Sequence, residues 1–194
     1  MKNVFIHIPK TAGNSVRKGL INSDVNYEDL GHSNKKNNEY FSDQGVFTFC
    51  FVRNPASRLK SAFFHLLEFN EDVDFDSLSQ FNKKRFLLKK EYGEDFERFV
   101  LDRGFEKFNI AHFFPQTVWT HSKDGKASFI GSLETLDESW AELGFILNIE
   151  LEPLKKLNQT KSKHYSTNNT ELTMEMLDVI KVFYKNDYDL LGYN

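Results

Sequence analysis

Cysteine is nearly absent from this chain: Cys50 is the only one in 194 residues. A single thiol builds neither a disulfide framework nor a zinc cluster within the chain. Its place in an apolar run makes it a small buried hydrophobe. Long hydrophobic runs are missing too. No segment approaches the roughly 18 apolar residues of a membrane span, and the first apolar run stops at Pro9 without the basic-then-apolar pattern of a secretory leader. A soluble, cytoplasmic protein is therefore expected. Positive charge is not in excess: 25 Lys and Arg stand against 28 Asp and Glu, a net charge of −3, which gives no overall attraction for nucleic acid or an acidic membrane. Internal repeats, low-complexity linkers and metal-ligand spacings of His and Asp are also lacking, so neither a nucleic-acid partner nor a metal is expected. What remains is ordinary for a globular protein, with 40% hydrophobic and 27% charged residues, and fits one domain over 1–194 with a proper core. Twenty Phe and seven Tyr are read as core packing. The basic runs at Lys83–Arg85, Lys89-Lys90, Lys155-Lys156 and Lys161–Lys163 read as solvated faces.

Residues 3–8 predict a short buried strand, followed by a helix from Gly13 to about Ile21 with Val16 and Leu20 four apart. The polar, Asn-rich stretch 22–45, with Gly31-His32-Ser33 inside it, reads as loop with at most a short helix. Val46–Val52 is the strongest strand, apolar on both alternations as a parallel strand covered on both faces would be. It ends in Arg53-Asn54-Pro55, where Asn54 suits an N-cap and Pro55 the first helical position. Leu59, Ala62, Phe63 and Leu66 then define a helix face, with Arg58, Ser61 and His65 on a different one. Further helices are predicted over 77–91, 94–103 and Leu136–Leu147, a strand over Ala127–Gly131, a polar loop over 158–169, and an amphipathic helix through Leu172, Met176, Val179, Ile180 and Phe183. The tail Asp187–Tyr193 is apolar enough to dock. Alternating strands and helices predict an α/β fold with a central parallel sheet flanked by helices.

Two strand-to-helix junctions carry charge. The first holds Lys10-Thr11-Ala12-Gly13-Asn14-Ser15, where backbone N–H groups at a helix start favour an anion. It lacks Walker A order, because Lys10 precedes Gly13; alone it is equally an ordinary βα connection. The second places Arg53 at the end of the central strand, with Ser61 two turns into the next helix. Ligands of open parallel sheets bind outside the carboxyl ends of the strands, so Lys10 and Arg53 are expected at one edge. Two cations and two helix N-termini suit a ligand with two separated phosphates.

Ile6-His7-Ile8-Pro9-Lys10-Thr11-Ala12-Gly13-Asn14-Ser15 resembles the 5′-phosphosulfate loop of the carbohydrate sulfotransferases, and Phe51–Phe63 resembles their 3′-phosphate motif. Gly31-His32, Phe114-Pro115-Gln116, Phe129–Leu136 and the ending Tyr184–Tyr193 match in the same order. The resemblance implies a P-loop-like three-layer fold and 3′-phosphoadenosine 5′-phosphosulfate (PAPS) as co-substrate, without a metal. It implies that Thr11, Ala12, Gly13, Asn14 and Ser15 hold the 5′-phosphate, that Lys10 stabilises charge at the bridging oxygen, and that Arg53 and Ser61 hold the 3′-phosphate, with Lys161 and Ser162 closing over it. Asn14 stands where many relatives carry Thr, and its amide still donates to a phosphate oxygen. His32 is the expected base, since a His in the corresponding segment serves some relatives so and its pKa lies near neutrality. His7 is expected near the ligand, His65 and His112 are reserves, and His121 and His164 are surface residues. Glu134, after a strand end, reads as structural, with the ordering of a cationic site residue as the alternative. The expected acceptor is a hydroxyl of a glycan or glycoconjugate met by loops 22–45, 67–93 and 117–126, in a soluble bacterial or viral enzyme. Two alternatives stay open: a nucleotide- or glycan-binding protein that keeps the fold without turnover, and a P-loop kinase, which the missing Walker A order and Walker B acid disfavour.

Overall fold

The doubly apolar stretch Val46–Val52 forms an interior strand, and the reason is visible on both of its faces. A computed structural model of the chain describes residues 1–35, 37–68, 74–154 and 171–193, with Asn38 in backbone only. In chain order its strands are β1 (Lys2–Ile6), β2 (Glu28–Asp29), β3 (Val46–Val52), β4 (His121–Ser122), β5 (Gly125–Lys126) and β6 (Phe129–Ser132). Four of them make one sheet in the order β2-β1-β3-β6, every neighbouring pair parallel, with Ile6 beside Cys50 and Val52 beside Ser132. The short β4 and β5 form a separate antiparallel pair.

Helices α1 (Gly13–Asn22) and α8 (Leu136–Leu147) cover one face: Phe5, Phe49 and Phe51 pack there with Val16, Leu20, Trp140 and Leu143. Ile6, Cys50 and Val52 point the other way, into a cluster with Ile8, Trp119 and Ala127. Burial on both sides explains why β3 shows no polar alternation. A third cluster lies among the helices α3 (Pro55–Leu67), α4 (Gln80–Tyr92), α5 (Phe96–Leu101), α6 (Gly104–Phe108) and α9 (Met174–Phe183). Phe63, Phe96, Phe99, Phe105 and Phe113 are all almost fully buried in it, with Phe63 and Phe99 rings 4.6 Å apart. The aromatic load does go into packing. The rest comprises α2 (Asn37–Ser42), α7 (Thr117–Thr120), α10 (Lys185–Leu191) and 3₁₀ turns at Phe75–Ser77 and Ala111–Phe113.

Several boundaries moved for local reasons. The first strand ends at Ile6 rather than 8, because the chain turns through Lys10. The segment 22–45 holds the short helix allowed for it, α2, and adds the strand β2. The helix expected from 77 starts at Gln80, where Ser79 accepts from the Asn82 N–H. The helix expected over 94–103 is the shorter α5, ending at Leu101, and α6 starts afresh at Gly104 after Arg103 takes a left-handed φ of 53°. The loop over 158–169 lies outside the described residues.

Arg58 is the plainest correction. Read as lying on a face other than the core one, it is fully buried, because the segment His112–Phe114 and the Tyr184 ring close over it. Its Nη1 donates to His112 O at 3.0 Å, its Nη2 donates to Phe114 O, and the guanidinium stands 5.7 Å from the Tyr184 ring centroid. Removing it strands one buried and one partly buried carbonyl and opens a cavity. Arg58→Ala should therefore destabilise the fold by about 2–5 kcal/mol, read as a lowered midpoint in chemical denaturation. A change under about 0.5 kcal/mol, the range of an ordinary surface substitution, would contradict this role.

Candidate active site

The loop after β1 is shaped by two residues in an unusual conformation. Lys10 (φ 69°) and Ala12 (φ 63°) are left-handed while Thr11 between them is not, at a cost of roughly 1–2 kcal/mol for each non-glycine residue. Alternation of hand turns successive backbone N–H groups toward one concavity, which suits an anion. Thr11 Oγ1 donates to Ile8 O at 2.9 Å and is buried, so its hydroxyl fastens the turn and leaves its backbone to face a ligand. Gly13 opens α1, and a Cβ there would lie 1.9 Å from His7 Nε2; the glycine lets the His7 ring approach the helix start. The N-cap residue of α1, Ala12, makes no side-chain cap, whereas on α3 the Asn54 side chain accepts from Ser57 N at 3.1 Å and Pro55 opens the helix as predicted. Asn14 is exposed and Ser15 buried.

The second loop follows β3, the immediate sheet neighbour of β1, so Lys10 and Arg53 leave the sheet at one edge. Arg53 is half-buried. Its N–H donates to Gln116 Oε1 at 2.9 Å and its carbonyl accepts from Gln116 Nε2 at 2.7 Å. The next amide, Asn54 N–H, donates to Glu134 Oε1 at 2.8 Å. Burial pushes the Lys10 ammonium below its ordinary pKa; the Arg53 charge adds to this and Glu68 opposes it. The two cations thus lie within electrostatic reach of each other. Ser61 is buried on α3. Lys161 and Ser162 lie outside the described residues.

Beside Lys10 the fold assembles four imidazoles from four separate segments. Ring centroids of His7 and His32 are 4.5 Å apart, those of His32 and His112 5.4 Å, and those of His112 and His65 5.7 Å. His32 follows β2 in a loop that is tied down from behind. Trp119 Nε1 donates to His32 O at 3.0 Å, and Gly31 N–H donates to Asp29 Oδ1 at 2.7 Å. Asp29 is itself gripped by Arg17 of α1 at 2.5 and 3.1 Å. Burial first, then the His32 and Arg17 charges, hold His7 down to about 3. Burial, then His32, His65, Lys10 and Arg58, hold His112 down to about 3. His32 keeps an exposed surface; partial desolvation and Arg17 lower its pKa, with Asp29 opposing. His65 is lowered by burial and Lys10, with Glu68 opposing. Near neutral pH the cluster is uncharged and keeps its lone pairs. Nδ1 of His7 and of His112 is buried without a hydrogen-bond partner among the described residues.

This arrangement has a thermodynamic consequence. In the unfolded chain His7 and His112 take up protons near 6.5, but in the folded chain only near 3. Between those values the unfolded state binds more protons, so stability is complete above about 6.5 and falls as pH drops toward 3. Denaturation midpoints measured from pH 7 to pH 4 should fall steadily, and the fall should be shallower in His112→Gln. An unchanged slope in that variant would contradict the burial of a neutral imidazole there.

A profile of the sulfotransferase family matches residues 2–194. The chain belongs to the sulfotransferase family. No curated protein and no solved structure matches it. Membership supports sulfuryl transfer in general, and the parallel sheet with helices on its faces agrees with the P-loop-like architecture expected of a sulfotransferase. Among the described residues no group of His, Cys, Asp and Glu has the arrangement to hold a metal, and no helix is long and apolar enough to cross a membrane. Of the outlying histidines in this sulfotransferase, His121 is half-buried and pairs with Thr120 Oγ1 at 2.7 Å, whereas His164 lies outside the described residues. Sequence reasoning named Lys10, Arg53 and His32, expected His7 near the ligand and held His65 and His112 in reserve, but did not foresee that the four rings form one array. It quoted Gln116 without a role, although its place two residues after Phe114 in a family-like motif was the available signal.

Proposed function

We propose that the chain transfers a sulfuryl group from PAPS to a hydroxyl of a carbohydrate or glycoconjugate. The observation that carries the proposal is the meeting, at one sheet edge, of two strand-end cations, Lys10 and Arg53, with an uncharged histidine array. The chain offers what a nucleotide with phosphates at both ends of its ribose requires: a left-handed loop ahead of an uncapped helix, and a separate guanidinium on the adjacent strand. PAPS supplies a sulfuryl group on its 5′-phosphate, and transfer of that group is a matter of positioning and charge stabilisation. In this reading the backbone N–H groups of 11–15 and the Ser15 hydroxyl hold the 5′-phosphate. Arg53 and Ser61 hold the 3′-phosphate, assisted by Lys161 and Ser162. Lys10 places its ammonium where negative charge develops, and His32, aimed by Trp119 and the Asp29–Gly31 bond, takes the acceptor proton. The carbohydrate class rests on the motif resemblance, with the His32 loop and residues 117–126 forming part of the acceptor side.

Calorimetry with adenosine 3′,5′-bisphosphate against ADP tests the donor assignment. The bisphosphate should bind clearly more tightly, and Arg53→Ala should weaken it by about tenfold or more, the loss of a charge-assisted contact, while leaving ADP little changed. Equal binding of the two nucleotides by the unaltered chain would overturn the PAPS assignment.

A further inference from the structure

Three stretches far apart in the chain, Pro115-Gln116, Ser132–Glu134 and the tail from Asp187 to Tyr193, converge on the two-residue turn Arg53-Asn54. After the pairing of Val52 with Ser132 and the bond from Leu133 N–H to Val52 O at 2.8 Å, β6 no longer accompanies β3, so the next backbone groups need other partners. Gln116, fully buried, takes both polar groups of Arg53's own backbone, through Oε1 and Nε2 at 2.9 and 2.7 Å. The orientation of that amide is not left open. Asp187, also fully buried, accepts from Gln116 N–H at 2.7 Å, from Gln116 Nε2 at 3.3 Å and from Thr117 N–H at 2.9 Å. A carboxylate only accepts, so it holds the NH₂ end of Gln116 on its own side and leaves the oxygen for Arg53 N–H. On the other flank Glu134 accepts from Asn54 N–H at 2.8 Å, from Ser132 Oγ at 2.7 Å and from Tyr193 OH at 3.0 Å.

We infer that Gln116 backed by Asp187, and Glu134 backed by Tyr193, are positioning residues that fix the Arg53 turn for a nucleotide 3′-phosphate, so that selectivity for that phosphate is set from the C-terminal helix α10 and the residues after it. The inference rests on the reading of Arg53 as the 3′-phosphate ligand. Both backbone N–H groups of the turn are held by side chains from distant segments, and these bonds leave the guanidinium itself out. A turn held in this way presents Arg53 at one fixed height above the sheet edge; without it the guanidinium keeps its charge and loses its address.

The test compares adenosine 3′,5′-bisphosphate with AMP by calorimetry on the full chain and on Gln116→Ala, Asp187→Asn, Glu134→Ala and Tyr193→Phe. The unaltered chain should prefer the bisphosphate. Gln116→Ala and Asp187→Asn should each reduce the ratio of the two affinities by about tenfold, and Glu134→Ala and Tyr193→Phe by about threefold, with AMP affinity kept within about twofold in all. A purely structural role would weaken both nucleotides together and leave the ratio intact. If the two buried substitutions prevent folding, as circular dichroism would show, the exposed Glu134→Ala and the half-buried Tyr193→Phe carry the test. An unaltered chain without preference would overturn the 3′-phosphate reading and the inference together. A retained preference in every folded variant would overturn the inference alone.

Discussion

Lys10→Ala is expected to slow sulfuryl transfer by about 10²–10³-fold, the scale seen when one preorganised donor to developing charge is lost. The side chain starts from a left-handed residue and lies half-buried, with its ammonium destabilised by burial and by the Arg53 charge. A cation held in a poorly solvated place interacts strongly with any negative charge that appears nearby, and the fold has already met the cost of keeping it there. Losing an interaction made only in the transition state lowers kcat and leaves KM nearly alone. Label transfer from radioactive PAPS to a glycan panel, together with bisphosphate calorimetry, separates the two effects. The expected variant binds the bisphosphate within a few-fold of normal and transfers almost nothing. A variant that loses binding and keeps kcat would make Lys10 an anchor instead.

His32→Ala is expected to cost about 10²–10⁴-fold, the range for a positioned general base. The groups facing its ring are His7, His112, Arg17 and Asp29. Partial desolvation and Arg17 lower its pKa below the ordinary 6.5 and Asp29 opposes them. A base works unprotonated, so the rate should be flat above pH 6.5 and fall on acidification through that lowered value. An acidic limb centred above 6.5, or full activity in His32→Ala on the true acceptor, would remove the role from His32. His112, whose ring adjoins it, would then be the next residue to replace.

The parts of the fold that depend on neighbours in sequence were legible. Asn54-Pro55 announces its helix because the cap and the first helical position are adjacent residues, and α8 ends where its apolar spacing ends. β3 was legible because burial on both faces leaves no polar alternation. What escaped depends on contacts far along the chain. The Asp187–Gln116 bonds span 71 residues, and His7, His32, His65 and His112 share no spacing that a pattern could reveal. Arg58 was placed by helical phase, which describes one helix and is silent about what closes over its other side. The left-handed Lys10, Ala12 and Arg103 carry side chains that ordinarily avoid that region, so residue type does not single them out. Lys10 and Arg53 were legible as strand-end cations because parallel topology gathers such ends at one edge.

Cys50 sits in β3 without solvent exposure, its Sγ 3.8 Å from Phe129 O, and burial pushes its thiol well above the usual range. Thiolates, not thiols, react with alkylating dyes, so the folded chain is silent toward such reagents. A cysteine introduced at the exposed Ser33, next to His32, would therefore take up a fluorophore alone. A protein with a single, buried thiol of its own thereby admits an optical reporter on the loop that carries its proposed base.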